Sequence, residues 1–156
     1  MITAAQQNFL ETCATAANGA GHVFPIMAAC EASLESSWGA SELAKGAHNL
    51  FGTKQSLHPE YGTVHLPTRE FLKGQWLTVD AAWVVYPDVR TCFLERMNTL
   101  RRLAPEYPHY AFAIEAKDAE TYITEVSLSW STDPDRAKKV LQIYHAHAAS
   151  LRLENV

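Results

Sequence analysis

The chain has 156 residues, of which 47% are hydrophobic and 19% are charged, and its formal net charge is −4. This length suits a single domain with one hydrophobic core. The ordinary composition excludes a disordered or fibrous chain. The negative charge argues against nucleic-acid binding, which calls for a basic surface. No apolar run approaches the roughly 20 residues that cross a bilayer, so we expect no membrane insertion. We also expect a monomer.

The cysteines and the N-terminus predict where the protein is made. Cys13, Cys30 and Cys92 are an odd number at wide spacings, which argues against a disulfide framework and for a reducing compartment. Residues 1–8 contain neither a basic segment nor an apolar segment of a secretory signal. We therefore expect synthesis without a signal peptide, in the cytoplasm of a producing or infected cell.

The first third of the chain predicts helices. Thr3 is a candidate N-cap for a helix over about 4–17. Pro25 favours the first turn of a second helix, which continues to about residue 36 with apolar residues at 3–4 spacing. Ser41 is a candidate cap for a short helix through Lys45.

The middle of the chain predicts a small β-hairpin lobe over about 62–82. Segments 63–66 and 68–72 have the composition of extended structure, and Pro67 is expected to break them. Lys73-Gly74 is a candidate turn, and 75–79 returns as a strand.

Helical spacing resumes after Pro87-Asp88. Two later helices are predicted over about 118–129, capped by Asp118, and about 134–151, capped by Asp133. Residues 1–156 are therefore predicted to form one α+β domain, mostly helical, with a small antiparallel hairpin.

Glu35 is a candidate general acid. It ends an apolar helix, where its carboxylate adds to the negative end of the helix dipole, and it lies near Trp38. Both features favour the protonated form, which a general acid needs near neutral pH. From the residues alone, a partly exposed helix-end carboxylate without a catalytic role is the more frequent case.

Three stretches around Glu35 carry a family resemblance: Leu34-Glu35-Ser36-Ser37-Trp38-Gly39, Ser41-Glu42-Leu43-Ala44 and Asn49-Leu50-Phe51-Gly52-Thr53-Lys54. They resemble the glucosaminidase family, glycoside hydrolase family 73, whose pattern reads A-L-E-S-G-W-G, S-x-L-A and N-L-F-G-I-K. Ser37 stands in place of one glycine. The resemblance implies a lysozyme-like fold and identifies Glu35 with the family's catalytic acid.

Downstream segments extend the resemblance over nearly the whole chain. Residues 68–76 resemble T-x-E-Y-x-N-G, in which the glutamate, here Glu70, is the proposed second carboxylate. Residues 83–87 resemble F-R-x-Y-x-S, with Tyr86 retained and Val84 in place of the arginine. Tyr110 corresponds best to a family tyrosine that follows the next helix.

Residues 130–137 resemble Y-A-T-D-P-x-Y-A, but Trp130 replaces the first tyrosine, which lines the family's active site. An indole can stack on a sugar and donate one N–H, but it has no phenol to share a proton. Either Tyr86 or Tyr110 takes part of that role, or the enzyme works without it.

The resemblance implies a peptidoglycan hydrolase, an endo-β-N-acetylglucosaminidase that cuts the β-1,4 bond after N-acetylglucosamine. Glu35 would protonate the leaving oxygen. Glu70 would either activate water, giving inversion with the carboxylates roughly 6.5–9.5 Å apart, or assist attack by the substrate's 2-acetamido group. The glycan would lie between the helical lobe and the hairpin.

The candidate substrate-binding residues are Trp38, Asn49, Phe51, Trp76, Tyr86, Tyr110 and Trp130. Trp83 is expected in the core, and Glu31 on a solvated helix face. The histidines lack a metal-ligand spacing, so we predict no metal, and nothing implies a cofactor.

Two alternatives stay open at this point. One is a muramidase or lytic transglycosylase of the same fold, and the other is a catalytically impaired glycan-binding or assembly protein. The expected bacteriolytic setting is a phage or prophage endolysin, a secreted effector, or a catalytic domain cut from a longer protein.

Overall fold

The structure is a computed structural model that describes residues 1–151 and 153. Within that part, the chain forms seven α-helices and one two-stranded antiparallel sheet. The elements are α1 (Ala4–Gly19), α2 (Pro25–Glu35), α3 (Glu42–Ala47), β1 (Gly62–Leu72), β2 (Gln75–Val85), α4 (Val89–Leu103), α5 (Pro108–Ile114), α6 (Ala119–Trp130) and α7 (Arg136–His147). Short 3-10 turns lie at Gln55–Leu57 and Ala148–Ser150. The expected mostly helical α+β fold is confirmed.

The first helices begin where the sequence indicates. The Thr3 hydroxyl accepts the backbone N–H of Gln6, and the Gln6 side-chain oxygen accepts the backbone N–H of Thr3, so the two form a capping box at the start of α1. Pro25 is the first residue of α2, and the Ser41 hydroxyl accepts a hydrogen bond from the backbone N–H of Ala44 in the first turn of α3. These ends are local, which is why the sequence predicts them.

The hairpin is longer and more regular than expected. Pro67 does not break β1, because its register with Asp80 places it at a non-hydrogen-bonded pair, where a missing N–H costs the ladder nothing. Lys73 and Gly74 have φ of 51° and 78°, and this two-residue turn matches the right-handed twist of the strands. The lobe therefore extends to Val85.

Two helical features differ from expectation. The helix predicted from residue 134 begins at Arg136, because the Asp133 carboxylate accepts the N–H of Asp135 in a turn before the helix. It ends at His147, and a 3-10 turn follows. Helix α5, with Pro108 at its start, was not predicted; at seven residues it is too short to show a helical period.

One core joins the helices, with Leu10, Met27, Phe93, Ile123 and Val140 fully buried on α1, α2, α4, α6 and α7. The three cysteines are buried and unpaired, as predicted. In the described residues, no helix combines the length and apolarity needed to span a membrane. Helix α2 is buried from Met27 to Ser33. It thus runs through the core, and its last residue is Glu35.

Candidate active site

The turn that follows α2 sets the direction of Glu35. Ser37, Trp38 and Gly39 all adopt left-handed backbone conformations, with φ of 53°, 58° and 80°. The N–H of Trp38 donates back to the carbonyl of Ser33 at 2.8 Å, which closes the helix end. A Cβ on Gly39 would lie 2.6 Å from the Phe9 ring, so this position requires glycine. The chain therefore turns sharply directly after Glu35.

Glu35 is held by an arginine. Its side chain is 26% exposed, and its Oε1 accepts a hydrogen bond from Nε of Arg136 at 2.8 Å. Its Oε2 makes no hydrogen bond to any residue within 1–151 or 153. The sequence did not predict this contact, because Arg136 lies 101 residues away in the chain.

Glu31, four residues before Glu35, is fully buried, whereas we expected a solvated helix face. Its Oε2 accepts hydrogen bonds from Nη2 of Arg96 at 2.7 Å and Nη2 of Arg136 at 2.6 Å. Burial alone would raise the pKa of Glu31, but these two guanidiniums outweigh it and lower the pKa to about 2. The expectation failed because this face of α2 packs against α6 and α7.

Arg96 lies between two aromatic rings. Its guanidinium carbon is 3.8 Å from the ring centroid of Trp130 and 4.2 Å from that of Phe51. Its Nε and Nη1 are buried and lack hydrogen-bond partners among the described residues. The ring faces therefore provide the electrostatic contact that those N–H groups do not find elsewhere. Trp130 thus covers a buried cation.

A cavity of about 470 Å³ lies beside Trp130. One wall is formed by the loop that includes Thr53, Lys54 and Ser56, and the other by Tyr107, Tyr110 and Trp130. The rings of Tyr110 and Trp130 are 6.4 Å apart, and burial raises the pKa of the Tyr110 phenol. The structure thus brings together two of the expected substrate-binding residues.

A second cavity, of about 380 Å³, adjoins the first at Lys54 and Ser56 and extends to Glu70 on β1. Oε1 of Glu70 accepts a hydrogen bond from Nζ of Lys54 at 3.1 Å. The two cavities together form a groove that runs from Trp130 at the end of α6 to Glu70 on the hairpin. Glu35 is not among the residues that line either cavity.

Trp76 lies on the other face of the hairpin. Glu70 pairs with Leu77, and neighbouring residues of a strand point to opposite faces, so Trp76 points away from the face of Glu70. Trp76 is 62% exposed and lies 5.5 Å from the guanidinium of Arg69. A contact between Trp76 and substrate therefore stays a prediction, on the face of the hairpin opposite Glu70. Trp83 is half-buried and donates its indole N–H to the carbonyl of Leu66.

Asn49, Phe51 and Tyr86, which we expected to contact substrate, are each no more than 2% exposed. The Asn49 side chain bonds to the backbone of Thr53 and Val84, and so ties the groove loop to β2. Burial raises the pKa of Tyr86 above its usual range. In this structure the three side chains lie in the interior, and their contact with substrate stays a prediction. Trp38 is half-buried, with its ring edge-on to His147.

One group of side chains has ligand atoms close enough to hold a cation, counting only the described residues: His58, Glu60 and Glu95. Nδ1 of His58 lies 3.4 Å from Glu60 and 3.2 Å from Glu95, and its Nε2 lies 2.6 Å from the Thr99 hydroxyl. Direct ion-pair and hydrogen-bond contacts account for this cluster. None of these residues lines the groove.

The sequence profile described as mannosyl-glycoprotein endo-beta-N-acetylglucosaminidase matches residues 11–149. The chain belongs to this glucosaminidase family. It is 30% identical over 139 residues to a protein of Lactococcus lactis subsp. cremoris described as a probable N-acetylmuramidase, which covers 85% of this chain and 31% of that protein. It is 34% identical over 128 residues to exo-glucosaminidase LytG of Bacillus subtilis strain 168, which covers 78% of this chain and 43% of that protein.

The fold of the glucosaminidase chain is also found in a solved structure. The catalytic domain of the autolysin Auto from Listeria monocytogenes matches with a TM-score of 0.81 at 24% identity, over 95% of this chain and 87% of that one. The chain spans only about a third of the length of the Lactococcus relative and less than half of LytG. The comparison therefore concerns one domain of those longer proteins.

Two departures from the glucosaminidase pattern meet at one place in the structure. The pattern Y-A-T-D-P-x-Y-A puts Trp130 at its first tyrosine and Arg136 at its second. Trp130 stacks on Arg96, and Arg136 binds Glu35, while Glu31 connects the two arginines. The sequence shows that Arg136 replaces the second tyrosine of the pattern, but it does not show that Arg136 contacts Glu35.

Proposed function

We propose that this glucosaminidase-family chain is a peptidoglycan hydrolase that cuts the β-1,4 bond after N-acetylglucosamine, with Glu35 as proton donor. One observation carries the proposal. The carboxylate at the family's catalytic position ends a buried helix, with Oε1 fixed by Arg136 and Oε2 free of hydrogen bonds to the described residues. Fixing one oxygen of a carboxyl orients the other, as general-acid catalysis requires.

In the proposed reaction, Glu35 takes up a proton and passes it to the glycosidic oxygen as the bond to C1 breaks. Water then adds to C1 and leaves a new hydroxyl there, while a carboxylate takes up the proton that the water loses, Glu70 in the inverting route or Glu35 in the acetamido route. Tyr110 and Trp130 support sugar binding by offering aromatic surface in the 470 Å³ cavity.

Glu70 is proposed as the second carboxylate. Glu70 lines the groove from β1, and Nζ of Lys54 donates a hydrogen bond to its carboxylate. This position supports a catalytic role for Glu70 on the hairpin side of the groove. An ionised carboxylate there would activate water directly and invert the anomeric centre, or would orient the substrate's own acetamido group and retain it.

A muramidase is the second candidate, because the Lactococcus relative is described as an N-acetylmuramidase. Mass spectrometry of digested peptidoglycan separates the two. New reducing N-acetylglucosamine ends support our proposal, whereas new reducing N-acetylmuramic acid ends support the muramidase. A 1,6-anhydro product would identify a lytic transglycosylase, and binding without any product would identify an impaired glycan-binding protein.

Glu35→Gln tests the central proposal. The amide keeps the shape of the side chain but cannot donate a carboxylic proton, so lysis of purified walls should fall by roughly 10²–10⁴-fold. The matched control is Glu42→Gln on the exposed start of α3, which should leave lysis unchanged. Circular dichroism checks that both variants are folded. If Glu35→Gln clears walls as fast as the parent, the proposal is wrong.

We propose that the chain acts as a monomer on glycan strands of the bacterial wall. Light scattering after gel filtration tests it, and a dimer mass would contradict it. Two assays separate the possible settings. Lysis of cells by protein added from outside supports a secreted effector, whereas lysis only on expression together with a membrane-permeabilising protein supports a phage lysin.

A further inference from the structure

Arg136 uses each of its three guanidinium nitrogens on a different acceptor. Nε donates to Oε1 of Glu35 at 2.8 Å, Nη1 to the hydroxyl of Ser127 at 2.9 Å, and Nη2 to Oε2 of Glu31 at 2.6 Å. The guanidinium plane is therefore fixed from three directions. Glu35 is bonded to a rigid group and not to a mobile surface side chain.

Arg136 and two of its three hydrogen-bond partners, Ser127 and Glu31, are buried. Arg136 is 2% exposed, Ser127 6% and Glu31 0%. Burial alone would lower the pKa of Arg136, but Glu31 and Glu35 outweigh it and raise the pKa above its usual range. Arg136 therefore stays charged wherever the protein is folded, and its charge acts on Glu35 at every pH of interest.

We propose that Arg136 is the positioning residue of Glu35. This inference rests on the proposed function of Glu35. The Nε–Oε1 bond holds Oε1 and so leaves Oε2 to meet the glycosidic oxygen.

Other charges act on Glu35 through Arg136. From its own helix, Glu31 shares the Arg136 guanidinium. From α4, Arg96 balances Glu31. Before α7, the charge of Arg136 reaches Asp133, which also forms an ion pair with Lys139. Of these groups, Arg136 alone contacts the Glu35 carboxylate.

The test is the kinetics of wall lysis in Arg136→Gln, with Arg96→Gln as matched control. Both arginines are buried and both bind Oε2 of Glu31, but Arg96 has no contact with Glu35. In Arg136→Gln, the turnover number should fall about tenfold with KM nearly unchanged, because the carboxyl is no longer held in one orientation. Arg96→Gln should lower the turnover number much less.

Arg136→Lys keeps the test decisive if the glutamine variant does not fold. The lysine retains a positive charge but has no Nε, so turnover should still fall several-fold, although less than in Arg136→Gln. The inference is overturned if the folded variant keeps the parent's turnover number, or if Arg96→Gln lowers the turnover number equally. Glu35→Gln measured in parallel separates the two claims: an active Glu35→Gln contradicts the proposed function itself.

Discussion

The guanidinium carbon of Arg96 lies 3.8 Å from the centre of the Trp130 indole, with Phe51 against its other side. Trp130 stands where the glucosaminidase pattern has a tyrosine. The replacement is therefore more than the loss of a phenol, since the larger ring covers a buried cation and still lines the groove. Trp130 therefore both lines the groove and packs against a buried arginine.

Trp130→Leu should reduce both stability and substrate binding. It removes one of the two rings on Arg96, which should cost about 2 kcal/mol of unfolding free energy because the cation is desolvated. It also removes a stacking surface from the groove, so KM should rise. Urea unfolding and wall-lysis kinetics measure the two effects. Trp76→Leu, on the exposed face of the hairpin, is the control; an equal rise of KM in that variant would contradict our placement of the groove.

Ser37→Gly should stabilise the protein. Ser37 has φ of 53°, a left-handed conformation that costs a residue with a Cβ about 1 kcal/mol relative to glycine. The gain should appear as a higher urea midpoint with an unchanged slope. Gly39→Ala is the opposite control, because its φ is 80° and a Cβ would meet Phe9. A stabilised Gly39→Ala would show that the turn is not as described.

Glu31→Gln should destabilise the protein by roughly 3–5 kcal/mol at pH 7, because it leaves two buried guanidiniums without their shared carboxylate. The folded pKa of Glu31, about 2, lies below the ordinary value of 4.5. Its contribution is therefore present above about pH 4.5 and is lost as pH falls towards 2. Urea unfolding between pH 2.5 and 7 should show a steeper acid loss in the parent than in the variant. Parallel curves would contradict the ion-pair assignment.

Glu70→Gln should lower turnover about 100-fold or more if the carboxylate activates water, with little effect on stability. The exposed Lys54–Glu70 pair contributes less than about 1 kcal/mol. Lys54→Gln is the control, since it breaks the same pair but keeps the carboxylate. Proton NMR of the first product identifies the anomer. Inversion with an inactive Glu70→Gln supports direct activation of water, whereas retention would point to the acetamido route.

Local signals in the sequence determined much of the fold. Caps at Thr3 and Ser41, the proline that opens α2 and the two-residue turn at Lys73 depend on residues within one turn of each other. Backbone geometry and side-chain hydrogen bonds at such short range are properties of the local sequence. The same reasoning failed for α5, which is too short to show a helical period.

The sequence by itself also placed Glu35, through the pattern around it, at the end of an apolar helix. Only the tertiary structure decided what surrounds that carboxylate. Arg136 and Glu35 are 101 residues apart, Glu31 is buried because two distant helices cover it, and the pleat of the hairpin separates Trp76 from Glu70. These relations arise from the packing of remote elements, and packing has no period or spacing that a sequence displays.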